Sequence, residues 1–230
     1  QGGLRDIQMI TWVAQRHFHV QDMHGLVDVG FLTAAEYIQL QKGLRKLWKI
    51  RYALHLQAGR KEDRLLFEHQ KRLAFLFGYQ DNESGLAVEQ FMQSHYRNTM
   101  QLEQLNLRLL QLFRENILQS NQDKNVVQLN SEFTIINQYL DVVDDQVFVK
   151  RPAALMDVFH LHQEHPEVHG IRANTLRHIS QNLYLIDDDF RNNAAIKGTF
   201  LALFKHRNLV FGQLKLMSVL GFLGAYLPVY

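Results

Sequence analysis

The sequence predicts a mainly α fold: a multi-helix bundle with one long helix and a small β-hairpin. Three observations support this prediction. Only three prolines occur in 230 residues, so long stretches can remain helical. Apolar residues recur at the spacing of three to four residues that gives a helix one buried face. Helix start and stop signals stand at the ends of several of these stretches.

The composition is that of a globular chain with little net charge. An apolar content of 47% suffices for a packed core, in one large domain or two modest ones. A formal charge of +2 predicts no extended nucleic-acid surface. The lack of cysteine excludes disulfides and fits a reducing compartment, so we expect a cytoplasmic protein. The apolar stretch 214–230 is interrupted by polar residues, glycines and Pro228, and no apolar leader opens the chain; we expect neither a membrane span nor an export signal.

The first residues combine a flexible bend with a charged helix start. Gly2 and Gly3 permit a sharp turn, and Arg5 and Asp6 come after it at the start of a helical stripe that extends to Phe18. Side chains placed just past such a turn can be directed into a cleft. The alternative is an ordinary loop, after which an acidic residue favours the helix dipole.

The next two helices carry clear end signals. The sequence at 33–36, Thr-Ala-Ala-Glu, has the form of a capping box, and it starts a helix that we expect to end at Gly59. Asp63 is a candidate cap for the following helix, which Gly78 ends.

The longest predicted helix covers about 86–117 and keeps a seven-residue apolar repeat. His95 and Asn98 interrupt this repeat in its middle, where a core or a cleft is expected. Buried polar groups need partners, so both a structural network and a ligand-binding role are open for these two residues.

The second half of the chain begins with a polar stretch, 119–131, that predicts a surface loop. Two short apolar runs around Asn137 and Gln138 then predict a hairpin with a two-residue turn. Further helices are predicted after Pro152 and at 173–185, 194–206 and 210–220.

A group of histidines and a run of aspartates could each suggest a metal site, but a local structural role explains both better. His160, His162, His165 and His169 surround a helix-ending proline at spacings that do not converge on one ion. The run 187–189 of three aspartates lacks a preceding strand and glycine-serine turn, so it predicts a turn and helix cap rather than a magnesium site.

A basic constellation at 48–72 is the strongest candidate for a binding surface. Arg51 and His55 are four residues apart, so both can face one anion, and Arg60 and Arg64 lie shortly after them. Two interpretations remain open: a solvated basic face, or a site for a triphosphate or an acidic partner.

The order of several segments resembles the bacterial bifunctional uridylyltransferase/uridylyl-removing enzymes, which act on the nitrogen-regulatory PII protein. The resemblance covers nearly the whole chain. The segments that carry it are Gly2-Gly3-Leu4-Arg5-Asp6-Ile7-Gln8, Gly30-Phe31-Leu32-Thr33, 47–56, 59–67, Arg151-Pro152-Ala153-Ala154-Leu155 and 220–228.

The resemblance implies a place within a longer protein. Residues 1–18 would end a nucleotidyltransferase core motif, and 19–230 would form a helical domain that leads to a His-Asp hydrolase domain. The apolar tail fits this expectation, since it would pack on that next domain. The parent enzyme would transfer UMP from UTP to a PII tyrosine, hydrolyse it off again and respond to glutamine.

The resemblance also implies candidate site residues. Asp6 would be the third core carboxylate and a Mg²⁺ ligand, with Arg5 near the nucleotide phosphates. Further UTP phosphate contacts from the helical side would be Arg51, His55, Arg60 and Arg64. Since the paired core carboxylates and the hydrolase residues are missing from this chain, we expect the isolated fragment to be inactive.

Two alternatives stay open. The early half also resembles the glutamine synthetase adenylyltransferases, although 48–67 and the closing segment do not. A non-enzymatic helical scaffold for protein partners is the other alternative.

Overall fold

The computed structural model describes residues 3–83, 85–115 and 125–228, with the Asp6 side chain outside the described part. The described chain is mainly α, with twelve α-helices and one four-stranded sheet, so the predicted fold class is confirmed. The chain forms two compact units, unit 1 at 1–109 and unit 2 at 110–230. Among the described residues no helix is both long and apolar enough to cross a membrane.

Unit 1 is helical. Its helices are α1 (Leu4–Phe18), α2 (Gly25–Asp28), α3 (Ala34–Ala58), α4 (Phe67–Leu76) and the greater part of α5 (Ala87–Phe113). The predicted capping box is present, since the Thr33 hydroxyl accepts from the Glu36 amide and the Glu36 carboxylate accepts from the Thr33 amide. At the other end of α3, Gly59 has a φ of 65°, which ends the helix at the predicted residue.

The core of unit 1 includes a cluster from α3, α4 and α5. Its buried members are Ile50, Ala53, Leu54, Leu73, Ala74, Ala87 and Phe91. The predicted stripe of α5 is buried at Phe91, Leu102 and Leu105. The predicted end of this helix, Ile117, lies outside the described residues.

A close approach of α3 and α5 depends on a glycine. A Cβ added to Gly43 would lie 2.5 Å from Cδ2 and 2.8 Å from Cγ of Leu102, closer than real carbon atoms pack. The Asn98 amide donates to the Gly43 carbonyl at 3.2 Å, and the Asn98 side chain is buried. Asn98 therefore has the structural partner that a buried polar group needs.

The predicted cap of α4 is wrong. The helix begins at Phe67 after Leu66, without a side-chain cap hydrogen bond, and Asp63 lies outside the helix start. The Asp63 carboxylate is bonded instead to Arg51 of α3. A charge-assisted pair with two hydrogen bonds outweighs a single bond to a helix amide.

Unit 2 combines short helices with a small sheet. Its helices are α6 (Val147–Lys150), α7 (Ala154–Glu164), α8 (Ala173–Gln181), α9 (Asp188–Asn192), α10 (Ala194–Ala202), α11 (Arg207–Val219) and α12 (Phe222–Tyr226). Two predicted helices end earlier than expected and continue as single 3₁₀ turns, Leu183–Leu185 and Leu203–Lys205.

The predicted hairpin is present within a larger sheet. The strands are β1 (Val126–Gln128), β2 (Phe133–Ile136), β3 (Tyr139–Val142) and β4 (Gly170–Ile171), in that order. β1–β2 and β2–β3 are antiparallel, whereas β3–β4 is parallel. Asn137 and Gln138 both have positive φ, 50° and 68°, as a two-residue hairpin turn of type I′ requires. Because β1 and β4 are very short, no alternating pattern marks them in the sequence.

Two aromatic residues of the apolar tail pack on the chain itself. Phe222 is fully buried, with ring contacts to Phe159 and Phe190, and Tyr226 contacts Phe200. These aromatic contacts connect α12 to α7, α9 and α10. Phe222 and Tyr226 are therefore part of the core of unit 2, and the packing of the tail on a following domain stays a prediction.

Candidate functional site

A groove of about 490 Å³ in unit 1 collects several of the predicted site residues. The N-terminal end of α1, the middle of α3, His95 of α5 and the loop before α4 form its walls. The lining residues are Gly3, Leu4, Arg5, Gln8, Leu47, Ile50, Arg51, Leu54, Asp63, Leu65 and His95. Arg5 and Arg51 therefore line one groove, although their helices are far apart in sequence.

Arg51 is held in place by Asp63. Its Nε and Nη2 donate to the two carboxylate oxygens of Asp63 at 2.8 and 3.1 Å. The guanidinium carbon also lies 5.6 Å from the centre of the Trp48 ring, within the range of a cation–π contact. These contacts orient the arginine at the groove without burying it.

His55 contacts the same carboxylate as Arg51. Its Nε2 lies 3.4 Å from Oδ1 of Asp63, so the four-residue spacing of Arg51 and His55 brings both to one anionic group, as predicted from the spacing. That anion is a carboxylate of the chain. The Arg51 hydrogen bonds, assisted by His55, hold the pKa of Asp63 below its usual value.

The start of α1 brings Arg5 to the groove. Gly3 is the residue before the helix, and it makes no side-chain cap because it has no side chain. Arg5 is exposed and lines the groove. Asp6 lies in α1, but its side chain is outside the described part of the structure, and so is the Gly2 half of the predicted bend.

Arg60 and Arg64 lie in the loop after α3, outside the lining of this groove. Arg60 pairs with Glu62 at 3.2 Å, and the Arg64 amide donates to the same carboxylate at 3.0 Å. The backbone hydrogen bond from Arg64, with a smaller contribution from Arg60, lowers the pKa of Glu62. The structure thus brings Arg5, Arg51 and His55 near one another and leaves these two arginines in a separate local network.

His95 is the polar residue of the long helix that reaches the groove. Burial lowers the pKa of its imidazole, and the Lys46 ammonium lowers it further. Its ring stacks on Phe91, with the ring centres 6.5 Å apart. His95 is therefore a neutral hydrogen-bonding group at neutral pH, and it lies in the groove while Asn98 is used in packing.

Sequence reasoning missed the acidic and apolar parts of this groove. Asp63 was interpreted as a helix cap, and Leu47, Leu54 and Leu65 carried no signal of a site. Gln8 had no recognisable signal. The spacing of Gln8 from Arg5, one helical turn, was the available indication that the two residues share a face.

The described residues do not by themselves supply a magnesium site. Among them, no group of three or more His, Cys, Asp or Glu side chains is arranged to hold a metal ion. The predicted ligand Asp6 has no described side chain, so the magnesium expectation stays a prediction about the parent protein.

The other sequence candidates have local partners in unit 2. His162 contacts Gln213 at 2.8 Å, His165 contacts Glu167 at 2.8 Å and His160 pairs with Glu164 at 3.5 Å. Asp187 accepts from the Phe190 amide at 2.9 Å, which confirms the predicted helix cap.

Comparison with protein families gives two matches that correspond to the two units. The family model described as GlnD PII-uridylyltransferase matches residues 1–110, and the model described as uridylyltransferase GlnD third domain matches residues 133–226. No solved structure shows a significant match.

Similar curated proteins share one name, bifunctional uridylyltransferase/uridylyl-removing enzyme. The protein of Pseudomonas aeruginosa is 44% identical over 229 residues, which cover 100% of this chain and 25% of that protein. The protein of Azotobacter vinelandii is 43% identical and that of Stutzerimonas stutzeri 42%, with 26% and 25% of their lengths covered. The chain thus spans about a quarter of the length of the curated relatives it matches.

Proposed function

The chain belongs to the GlnD PII-uridylyltransferase family, and we propose that it forms the helical part of a bifunctional uridylyltransferase/uridylyl-removing enzyme in which it closes the UTP cleft. The parent enzyme transfers UMP from UTP to a tyrosine of PII and removes it by hydrolysis in response to glutamine. The helical part also braces the catalytic domains. The relatives that match this chain over its full length carry that enzyme name, which supports the proposal.

One observation carries the cleft role: Arg5 and Arg51 line the same groove. Two arginines from different helices are suited to the oxygens of a triphosphate, because their planar guanidinium groups donate paired hydrogen bonds. The apolar residues Leu47 and Leu54 line the same groove.

In the proposed reaction the tyrosine oxygen forms a bond to the α-phosphorus of UTP. The bond to the β-phosphate breaks, pyrophosphate leaves and the tyrosine proton is lost. Removal hydrolyses the bond between the tyrosine oxygen and the phosphorus of the uridylyl group. Water supplies the new oxygen on phosphorus and the proton on tyrosine, so UMP is released and the tyrosine hydroxyl is restored. Mg²⁺ in the parent would neutralise charge on the phosphates.

The residues of this chain would orient the nucleotide. Arg51 would exchange the Asp63 carboxylate for phosphate oxygens, while Arg5 would contact the same triphosphate from α1. His55 shares the Asp63 carboxylate and would move with Arg51. Arg60 and Arg64 would contribute a weaker, longer-range attraction, because they lie outside the groove lining.

Kinetics of the full-length parent test this role. Arg51→Ala and Arg5→Ala are each expected to raise KM for UTP by about tenfold to a hundredfold, the worth of a hydrogen bond to a charged group. Arg64→Ala should have a smaller effect. Arg45→Ala, an exposed arginine of α3 outside the groove lining, is the matched control.

If Arg51→Ala transfers UMP at the wild-type rate and with the wild-type KM for UTP, the cleft role is wrong. The chain by itself, assayed with UTP, Mg²⁺ and PII, is expected to transfer no UMP.

A further inference from the structure

A second surface of unit 1, which we term the α3–α4 face, exposes large apolar side chains. It comprises Lys49, Tyr52 and Leu56 of α3 and Arg72, Leu76 and Phe77 of α4 and its end. Tyr52, Leu56 and Leu76 are 68%, 66% and 67% exposed. A contiguous patch of exposed aliphatic and aromatic side chains usually marks an interaction site.

The α3–α4 face is concave. A groove of about 620 Å³ runs between its two helices, and a smaller hollow of about 190 Å³ continues from it past Lys49 and Phe77 towards Lys46 and Tyr79. From Lys49 to Leu56 the α3 wall is about 10 Å long, at about 1.5 Å per residue. The groove can therefore receive a row of side chains from two turns of a helix.

The charge at this groove has one sign. Lys49 and Arg72 line it, Lys46 lines the adjoining hollow, and no carboxylate lines either one within the described residues. Across that described part, neither Lys49 nor Arg72 forms an ion pair with an acidic side chain. Helix α3 has no acidic residue after Glu36, so no carboxylate within the helix offsets the positive charge of its lysines and arginines.

The α3–α4 face is separate from the proposed UTP groove. No residue lines both the UTP groove and the α3–α4 groove. Lys49 and Tyr52 lie on one side of α3, whereas Arg51 and Leu47 line the other groove. The α3–α4 groove and the UTP groove therefore have separate linings, although Ile50 lines both the UTP groove and the adjoining hollow.

We propose that the α3–α4 face docks an amphipathic protein segment that carries acidic side chains beside apolar ones. Leu56, Leu76 and Phe77 would accept the apolar side chains, and Lys49 and Arg72 at the rim would pair with the acidic ones. An apolar centre with a charged rim is the usual composition of a protein interface. A concave groove suits a protruding helix better than a flat lipid surface.

Selection from a phage-displayed random-peptide library against the 230-residue chain tests this proposal. The enriched peptides are expected to have net negative charge and apolar residues at helical spacing. A fluorescein-labelled copy of an enriched peptide then gives the affinity by fluorescence anisotropy.

The variants Leu76→Glu and Lys49→Glu are each expected to weaken binding of that peptide by about tenfold or more. A peptide with lysine in place of its acidic residues should bind the wild type poorly and regain affinity for Lys49→Glu. Tyr184→Glu is the matched control, since Tyr184 is 71% exposed on unit 2. Circular dichroism establishes that each variant keeps its helical content.

Several results would overturn the proposal. They are the absence of enriched peptides, enriched peptides without acidic residues, and binding that Leu76→Glu and Lys49→Glu leave within twofold of the wild type. Preferred binding at this face of anionic phospholipid vesicles or of single-stranded RNA, or dimerisation of the chain through it, would also contradict an acidic protein partner.

Discussion

The guanidinium of Arg51 and the carboxylate of Asp63 form a bidentate pair, with N–O distances of 2.8 and 3.1 Å, at the edge of the proposed UTP groove. The two residues are twelve positions apart, one on α3 and the other in the loop before α4. An arginine held in this way is oriented for an anion but must leave a carboxylate to bind one. The pair therefore sets both the position and the availability of Arg51.

Asp63→Asn in the parent enzyme is expected to lower KM for UTP by up to about fivefold. The substitution keeps the shape and one acceptor but removes the charge that competes with phosphate, and the limit of about fivefold reflects the modest strength of an exposed ion pair. Initial rates of UMP transfer at varied UTP concentration measure the effect.

Glu62→Gln is the matched control, since Glu62 pairs with Arg60 outside the groove lining. A rise in KM for Asp63→Asn would mean that the carboxylate serves mainly to orient Arg51.

The His95 imidazole is expected to titrate below the usual value of about 6.5, because burial disfavours its charged form. Lys46→Gln should raise this pKa by less than half of the total shift, since burial is the larger of the two causes. NMR titration of the imidazole carbon signals gives both values. Lys42→Gln, on the same helix, should leave the midpoint unchanged.

The lowered His95 pKa also makes the stability of the folded chain depend on pH. The unfolded chain takes up a proton at His95 near pH ~6.5, which the folded chain resists, so stability is lost as pH falls through the range between the unfolded and folded pKa values. His95→Gln should lose less stability than the wild type over this range. Equal losses would mean that His95 titrates alike in both states.

Gly43→Ala is expected to destabilise unit 1 by about 1–3 kcal/mol, the usual cost of overpacking a core. The new methyl group would meet the buried Leu102 side chain, and Cγ of that leucine, 2.8 Å away, cannot swing aside as a chain end could. Both tryptophans, Trp12 and Trp48, lie in unit 1, so denaturant unfolding followed by tryptophan fluorescence reports on it.

The cost of Gly43→Ala should shrink in a Leu102→Ala background, where the space is free. Gly198→Ala of α10 is the control, because nothing lies within 4 Å of its added Cβ. Since Gly198 lies in unit 2 and both tryptophans lie in unit 1, its unfolding is followed by circular dichroism. That change should be neutral or should stabilise the chain by up to about 1 kcal/mol.

Thr33→Ala removes one half of the capping box of α3 and is expected to cost about 0.5–2 kcal/mol. Thr33→Ser keeps the hydroxyl and should cost much less. Urea unfolding followed by tryptophan fluorescence measures both. A similar loss for the two variants would assign the effect to the threonine methyl group rather than to the cap.

Local signals allowed much of the secondary structure to be predicted. The Thr33–Glu36 box, the Gly59 stop and the Asn137-Gln138 turn each act over a few residues, so the types and spacing of neighbouring residues are enough to identify them. The site was predictable only in part. The spacing of Arg51 and His55 indicated a shared anion, but their partner proved to be Asp63.

Patterns along the chain were enough to establish the helical class, the main helix boundaries, the hairpin and the likeness to the uridylyltransferase family. Three features became known only from the packed molecule: Arg5 and Arg51 share a groove, β4 extends the hairpin, and Phe222 enters the core of unit 2. Helix periodicity and caps depend on neighbours along the chain. Grooves and cores depend on which distant residues packing brings together, and the spacing of residues in a single sequence does not record that.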